Sequence, residues 1–314
     1  MTRKIKLTRT RNSRLDAVFA SDLNDEQRAA ATAPDGFNLI LAGPGSGKTR
    51  VITYRVAHLI ARGTPPESIL LATFTRRAAR DMTSRLEQLV GPAAIQVWAG
   101  TFHHIGNRLL RRHAAALGFE PNFTILDSED QKDVMRLAMS DAELVEPGRM
   151  GPPPEQLLRL ISLAFNTKQP LAAVIEEIAP ALIERTAGVE AVARGYAERK
   201  RVANCMDYDD LLGQWSRLVV EFDEIRATQA AMFRHLLIDE MQDTNAVQVE
   251  LVETLAHAGA GNLTAVGDDA QSIYRFRGAN YDNILKFHER NPAARIFRLE
   301  INYRSTPEIV AFTN

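Results

Sequence analysis

"LILAGPGSGKT", residues 39–49, decides the fold. A short apolar run enters a glycine-rich turn, and a helix pattern opens at Lys48 and Thr49. Gly43, Gly45 and Gly47 let backbone N–H groups turn inward on phosphates, and a helix N-terminus adds the positive end of its dipole. Lys48 is spaced to reach β- and γ-phosphates, and the Thr49 hydroxyl suits Mg²⁺. Ser46 and Arg50 complete the nucleotide-contacting run. Ala42 stands where the strict phosphate-loop pattern has glycine.

Working outward, residues from about 21 to 101 alternate strands with amphipathic helices. Strands are expected at 37–42, 69–74 and 95–98, and helices at 48–62 and 76–90, a βαβ pattern that implies a parallel sheet. From about 106 to 203 the pattern is helical and punctuated by prolines, with only 123–126 strand-like. Strand signals return at 236–239, 263–267 and 295–299. The expectation is an α/β domain with a parallel sheet, interrupted by an inserted, mainly α-helical subdomain.

A phosphate cradle needs acids opposite it. "HLLIDE", 235–240, is an apolar strand ending in two carboxylates. Asp239 suits the Mg²⁺ shell and Glu240 suits the base that handles the attacking water. The amide of Gln27 matches the donor and acceptor edge of adenine; an ordinary surface glutamine is the open alternative. Gln271, in "VGDDAQS", 266–272, suits a reporter on the γ-phosphate or on the attacking water; Asp268 and Asp269 read equally well as turn acids.

Three stretches suit a polynucleotide. "IYRFRGA", 273–279, alternates Tyr274 and Phe276 with Arg275 and Arg277, so an extended segment puts aromatics on one face and arginines on the other. A buried strand with core aromatics remains the open alternative. "TFTRRAARDM", 73–82, carries Phe74 at a strand end, and "GTFHHIGNRLLRR", 100–112, carries Thr101 and His103 at a helix start. His103 and His104 read as capping or surface residues rather than as catalytic ones.

The 314 residues carry a net charge of −1 and one cysteine, Cys205, which excludes an internal disulfide and a cysteine-rich zinc site. A reduced, cytoplasmic setting is the simplest expectation. Apolar runs are strand-sized, so no membrane span is expected. The basic start, with Arg3, Lys4, Lys6, Arg9, Arg11 and Arg14, reads as a solvated tail or as a nucleic-acid contact.

Together the Gln27 segment, 42–49, 73–82, 100–112, "MDYDDLL" at 206–212, "IDEMQDTN" at 238–245, 266–279 and "NYRST" at 302–306 resemble the UvrD/Rep-like superfamily 1 DNA helicases, in that family's order and spacing. The resemblance implies a RecA-like P-loop NTPase domain 1A in two parts, 21–106 and 205–300, with an inserted subdomain 1B at 107–204. Residues 1–20 are the basic tail, and 301–314 a junction to a second motor domain. It implies ATP and Mg²⁺ as cofactors, single-stranded DNA or 3′-tailed duplex as partner, and 3′→5′ movement. Tyr303 would stack on the base, Arg304 would reach the γ-phosphate, and Phe74, Tyr274 and Phe276 would line the strand track. Met241, Arg76-Arg77 and Ala270 depart from the family's usual residues. "LEINYRSTPEIVAFTN", 299–314, starts a helix at its end; the expectation is a fragment with little unwinding activity of its own. A non-catalytic P-loop nucleotide- and DNA-binding module is the rival reading, and a small-molecule P-loop kinase another.

Overall fold

A computed structural model describes residues 10–144, 151–268 and 282–306. Six strands, β1 (Phe37–Ala42), β2 (Ile69–Thr73), β3 (Trp98–Thr101), β6 (His235–Ile238), β7 (Leu263–Gly267) and β8 (Arg295–Leu299), form one sheet in the order β3-β2-β6-β7-β1-β8. Every pairing in it is parallel. All six strands therefore end at the same edge, the edge where open α/β sheets bind ligands. The central strands are covered on both faces, which explains their continuous apolar sequence. β2 and β7 are buried at every position.

Helix α1 (Thr10–Asp22) enters where the sequence suggests a solvated tail. Phe19 is the reason: it is buried, with its ring 5.1 Å from that of Tyr54 on helix α3 (Lys48–Ala61). Residues 1–9 lie outside the described residues. Helix α2 (Asp25–Ala31) opens on a reciprocal cap between Asn24 and Gln27. Helix α4 (Arg76–Val90) returns along the sheet to β3.

One strand differs from expectation. The pattern favours an extended 95–98, but Gly91–Gln96 form a 3₁₀ turn with Pro92 in its first positions, and Ile95 is exposed. The strand begins only at Trp98, because the small residues Ala99, Gly100 and Thr101 pair with Leu71–Thr73 of β2. Thr101 then caps helix α5 (Phe102–His113), accepting the His104 backbone N–H at 3.2 Å.

Two apolar cores flank the sheet, and a third lies in the helical insert. The first joins β2, β3, β6 and β7 to α5 and to helices α10 (Tyr208–Glu221), α11 (Asp223–Met232) and α12 (Ala246–Ala258). The third is built by helices α6 (Ser128–Asp141), α7 (Pro154–Thr167), α8 (Leu171–Ile178) and α9 (Thr186–Val202). Between them, β4 (Thr124–Ile125) and β5 (Cys205–Met206) pair as a two-stranded ribbon where the chain leaves and re-enters. Asn166 on α7 accepts a hydrogen bond from Asn245 at the cap of α12, and Lys168 pairs with Glu250 at 2.6 Å, so the insert is tied to the sheet layer by polar contacts. Among the described residues, no helix is long and apolar enough to cross a membrane.

Candidate nucleotide and polynucleotide site

The site is the row of loops at the C-terminal ends of the strands. After β1, Gly45 and Gly47 hold φ of +73° and +90°, which side chains other than hydrogen rarely tolerate. Space enforces glycine a second time. A Cβ on Gly45 would lie 2.5 Å from Asn302 Oδ1 and 2.6 Å from Arg304 Cβ, and one on Gly47 would lie 2.7 Å from Gln27 Nε2. Gly47 occupies the cap position of α3 with no side chain capping it, so the first N–H groups of the helix remain available to an anion.

Gly43 differs from the other two in why glycine suits it. Its φ lies outside the left-handed region, and a Cβ on it would meet nothing within 4 Å. Neither backbone geometry nor neighbouring atoms therefore require glycine at 43. Its part in the turn is played by its carbonyl, which accepts the Ser46 N–H at 3.3 Å and the Ser46 hydroxyl at 2.7 Å. Any residue could supply that carbonyl. What glycine adds at 43 is open space beside the loop, room for a ligand to approach the backbone.

The loop is fastened by the neighbours that the sequence singles out. Gln27 is buried; its Nε2 donates to the Ser46 carbonyl at 2.8 Å and its Oε1 accepts the Asn24 N–H at 3.2 Å. The same amide that suits adenine is thus engaged in the helix cap and the loop. After β8, the Tyr303 N–H donates to the Gly45 carbonyl at 2.9 Å, and the Tyr303 hydroxyl accepts from Asn24 Nδ2 at 2.7 Å. The Tyr303 ring is 60% exposed beside the Gln27 segment. Asn302 Oδ1 accepts the N–H groups of Arg304 and Ser305, which turns Arg304 over Gly45. The Arg50 guanidinium donates to the Asp22 carbonyl at 3.1 Å, and Thr49 lies in the first turn of α3.

Lys48 is buried, and its ammonium stands 3.3 Å from Asp268 Oδ2 and 3.9 Å from Glu240 Oε2. Asp268 follows β7 and is 2% exposed. An ordinary turn acid would be solvated, so its pairing with Lys48 is a site feature that sequence reasoning left open. The signal available was the acid's position directly after a buried strand.

Asp239 follows β6, anchored by its N–H on the Ala72 carbonyl at 2.9 Å. Its carboxyl is pushed up to about 7, first by burial and second by the charge of Glu240. Its Oδ1 is buried without a hydrogen-bond partner, as are Thr73 Oγ1 and Asp243 Oδ1 nearby. Burial also pushes the Asp243 carboxyl up, to about 6. Buried oxygens with nothing to accept from fit a cation and its waters. Glu240 has φ of +53°, a left-handed conformation that costs energy in a residue with a side chain.

These acids form one wall of a cleft of about 620 Å³. Phe74, Thr101 and His103, from the ends of the neighbouring strands β2 and β3, line it as well, as do Arg159, Ser162 and Asn166 of the insert. Glu240 therefore borders the Lys48 ammonium and the cleft together. His103 packs edge-on against Tyr208, with ring centroids 5.4 Å apart, and burial pulls its pKa down to about 4, so the imidazole is neutral. Gln271, Tyr274, Phe276 and Arg277 lie outside the described residues.

Comparison with known proteins agrees with this architecture. The UvrD/REP helicase N-terminal domain matches residues 23–292. ATP-dependent DNA helicase PcrA of Staphylococcus epidermidis is 39% identical over 298 residues, covering 95% of this chain and 40% of that relative. The PcrA of Bacillus subtilis is 38% identical over 301 residues, covering 94% of this chain and 39% of that relative. The chain thus spans about 40% of the length of these curated relatives. A RecA-like α/β sheet, and a family match over most of the chain's length, lead to one assignment: the chain belongs to the UvrD/REP helicase N-terminal domain family.

Proposed function

We propose that this chain is the ATP-hydrolysing motor of a DNA helicase that moves 3′→5′ along single-stranded DNA. The observation that carries the reading is Lys48, set at a strand-loop-helix junction between the carboxylates of Asp268 and Glu240. An ammonium held that way is positioned to exchange a carboxylate for phosphate oxygens. The motor comprises residues 21–106 and 205–300, and residues 107–204 are its accessory insert. The separate apolar core of helices α6 to α9 supports that division.

The triphosphate lies along residues 43–50, with N–H groups of the loop and of α3 on its oxygens. Gln27 and Tyr303 flank the adenine, and Arg304 turns toward the γ-phosphate. Thr49 and Asp239 would hold Mg²⁺, which when bound neutralises charge on the transferring phosphoryl group. Glu240 takes the proton of the water that attacks the γ-phosphorus; the bond to the β-phosphate oxygen breaks and ADP leaves with inorganic phosphate. Gln271 senses the γ-phosphate.

DNA threads the cleft past Phe74, Thr101 and His103 and onto Tyr274, Phe276 and Arg277, with a 3′-tailed duplex as the loading substrate. Coupling follows from sequence adjacency. Asp268 pairs with Lys48, and three residues on comes Gln271, then Tyr274 and Phe276. When phosphate replaces Asp268 at Lys48, the end of β7 is released, and that end leads in sequence to Tyr274 and Phe276.

The test is phosphate release in a single turnover with protein in excess over Mg-ATP. Release above that of Lys48→Ala supports the hydrolase reading, and release equal to it contradicts the reading. Polarity is read from streptavidin displaced from either end of a biotinylated oligonucleotide. Displacement from the 5′ end fits 3′→5′ movement, and displacement from the 3′ end alone contradicts it.

A further inference from the structure

We propose that Gln242 is a positioning residue for hydrolysis, holding Glu240 in its reactive orientation and tying it to the β7 end that carries Asp268. The inference rests on Glu240 acting as the base. Gln242 sits in a 3₁₀ turn, Met241–Asp243, directly after the two acids, and is 1% exposed. Its Nε2 donates to Glu240 Oε2 at 2.7 Å, and its Oε1 accepts the Asp268 backbone N–H at 3.0 Å. Both ends of one buried amide are therefore spent on the two residues whose carboxylates face Lys48.

Three further observations point the same way. Glu240 holds a left-handed backbone, which persists only where surrounding contacts over-determine it. That backbone is fixed on one side by the Asp239 N–H on Ala72 and on the other by the Asp243 N–H on the Glu240 carbonyl, at 2.9 Å each. The side chain needs its own restraint, and the Gln242 amide supplies one. Then, β7 ends in Gly267, where a Cβ would lie 2.6 Å from Ile284 Cδ1 and 2.8 Å from Gln242 Oε1. The strand end thus leaves room for this amide. Finally, an amide of this length serves both contacts at once: Glu240 Oε2 requires a donor and the Asp268 N–H requires an acceptor. A carboxylate at 242 would face Glu240 with like charge, and a thioether would serve neither contact.

The consequence is a mechanical link. A change at Lys48 that moves Asp268 is passed through Gln242 to Glu240, so the base is set only when the β7 end is in register. Hydrogen-bond partners that orient a functional side chain, as those behind metal ligands do, typically control about 10–100-fold in affinity or activity.

The experiment measures kcat and KM for Mg-ATP, with saturating single-stranded oligonucleotide, for wild type, Gln242→Met, Glu240→Gln and the double variant. Gln242→Met is expected to lower kcat by about 10–100-fold, with KM changing less than kcat. The double variant is expected to be no slower than Glu240→Gln alone, because a residue acting through Glu240 has nothing left to position. Gln242→Glu keeps the acceptor for Asp268 and loses the donor to Glu240, so it serves as a second variant if the methionine substitution fails to fold; it too is expected to lower kcat. Wild-type kcat in either variant overturns the proposal. So does a double variant slowed by the product of the two single effects, which would mean independent damage. Glu240→Gln turning over like wild type sinks the base assignment itself, and a wild type no faster than Lys48→Ala removes the hydrolase reading beneath both.

Discussion

Lys48 and Asp268, 220 residues apart in sequence, form a buried ion pair at 3.3 Å where the start of α3 meets the end of β7. The pair gives the ammonium a partner when no phosphate is bound. It also means that substitution of the lysine has two consequences. Lys48→Ala should abolish the rise in melting temperature produced by Mg-ATP. It should also lower the melting temperature without nucleotide, because a buried carboxylate loses an ion pair, a loss worth up to about 3–5 kcal/mol. Lys48→Ala/Asp268→Asn should recover much of that basal stability but not the response to ATP. Scanning calorimetry with and without Mg-ATP checks all three variants. An ATP response retained by Lys48→Ala would contradict the role given to the loop.

Gln27 and Tyr303 meet through Asn24, which donates to the tyrosine hydroxyl and receives Gln27's backbone N–H. Gln27→Ala should accordingly lower the preference for ATP over GTP. Competition of each nucleotide against a fluorescent ATP analogue measures it. A wild type that binds both nucleotides equally would show that this corner does not read the base.

Phe74 lies half-buried in the cleft at the end of β2. Phe74→Ala should weaken single-stranded DNA binding by about 1–3 kcal/mol, the range for loss of one base–aromatic stack. Fluorescence anisotropy at low salt is the measurement, since phosphate contacts weaken steeply as salt rises. Nucleotide affinity should hardly change. Unaltered DNA binding would make Phe74 a packing residue.

His235 opens β6 in the core, and burial pulls its pKa from 6.5 to about 4. The unfolded chain therefore takes up a proton that the folded chain refuses between these values. Stability on this account is present above about 6.5 and is lost as pH falls toward 4, by up to about 3 kcal/mol. His235→Gln should flatten the fall of melting temperature across that window. An unchanged slope would mean that other groups govern acid unfolding. The raised carboxyls of Asp239 and Asp243 act in the opposite sense, so the comparison is between slopes of the two proteins.

Local signals made much of this legible. The run 39–49 specified strand, turn and helix because each local preference agreed with the others. Within it Gly45 and Gly47 are needed for their backbone, whereas Gly43 is not, a difference that composition alone does not carry. Asp239 and Glu240 stood out because two acids close an apolar strand. What the sequence left open depended on pairings between distant segments. Asp268 reads as a turn acid until β7 is placed beside β1 and Lys48 is brought to it. Gln242 has no local signature, since its two partners are fixed only when β6 and β7 pair. Residues 95–98 misled because Ile95 and Val97 look strand-like, while Pro92 and the parallel register with β2 moved the strand to Trp98. Phe19 gave α1 a docking surface that the surrounding basic residues obscured.

The most direct measurement is steady-state ATP turnover with and without a single-stranded oligonucleotide, for wild type and Glu240→Gln. The oligonucleotide should raise wild-type turnover. Glu240→Gln should lose about 10²–10⁴-fold, the usual contribution of a positioned general base, while still binding ATP. Turnover indifferent to the oligonucleotide, or undiminished in Glu240→Gln, would contradict the assignment of this chain as a DNA-stimulated motor.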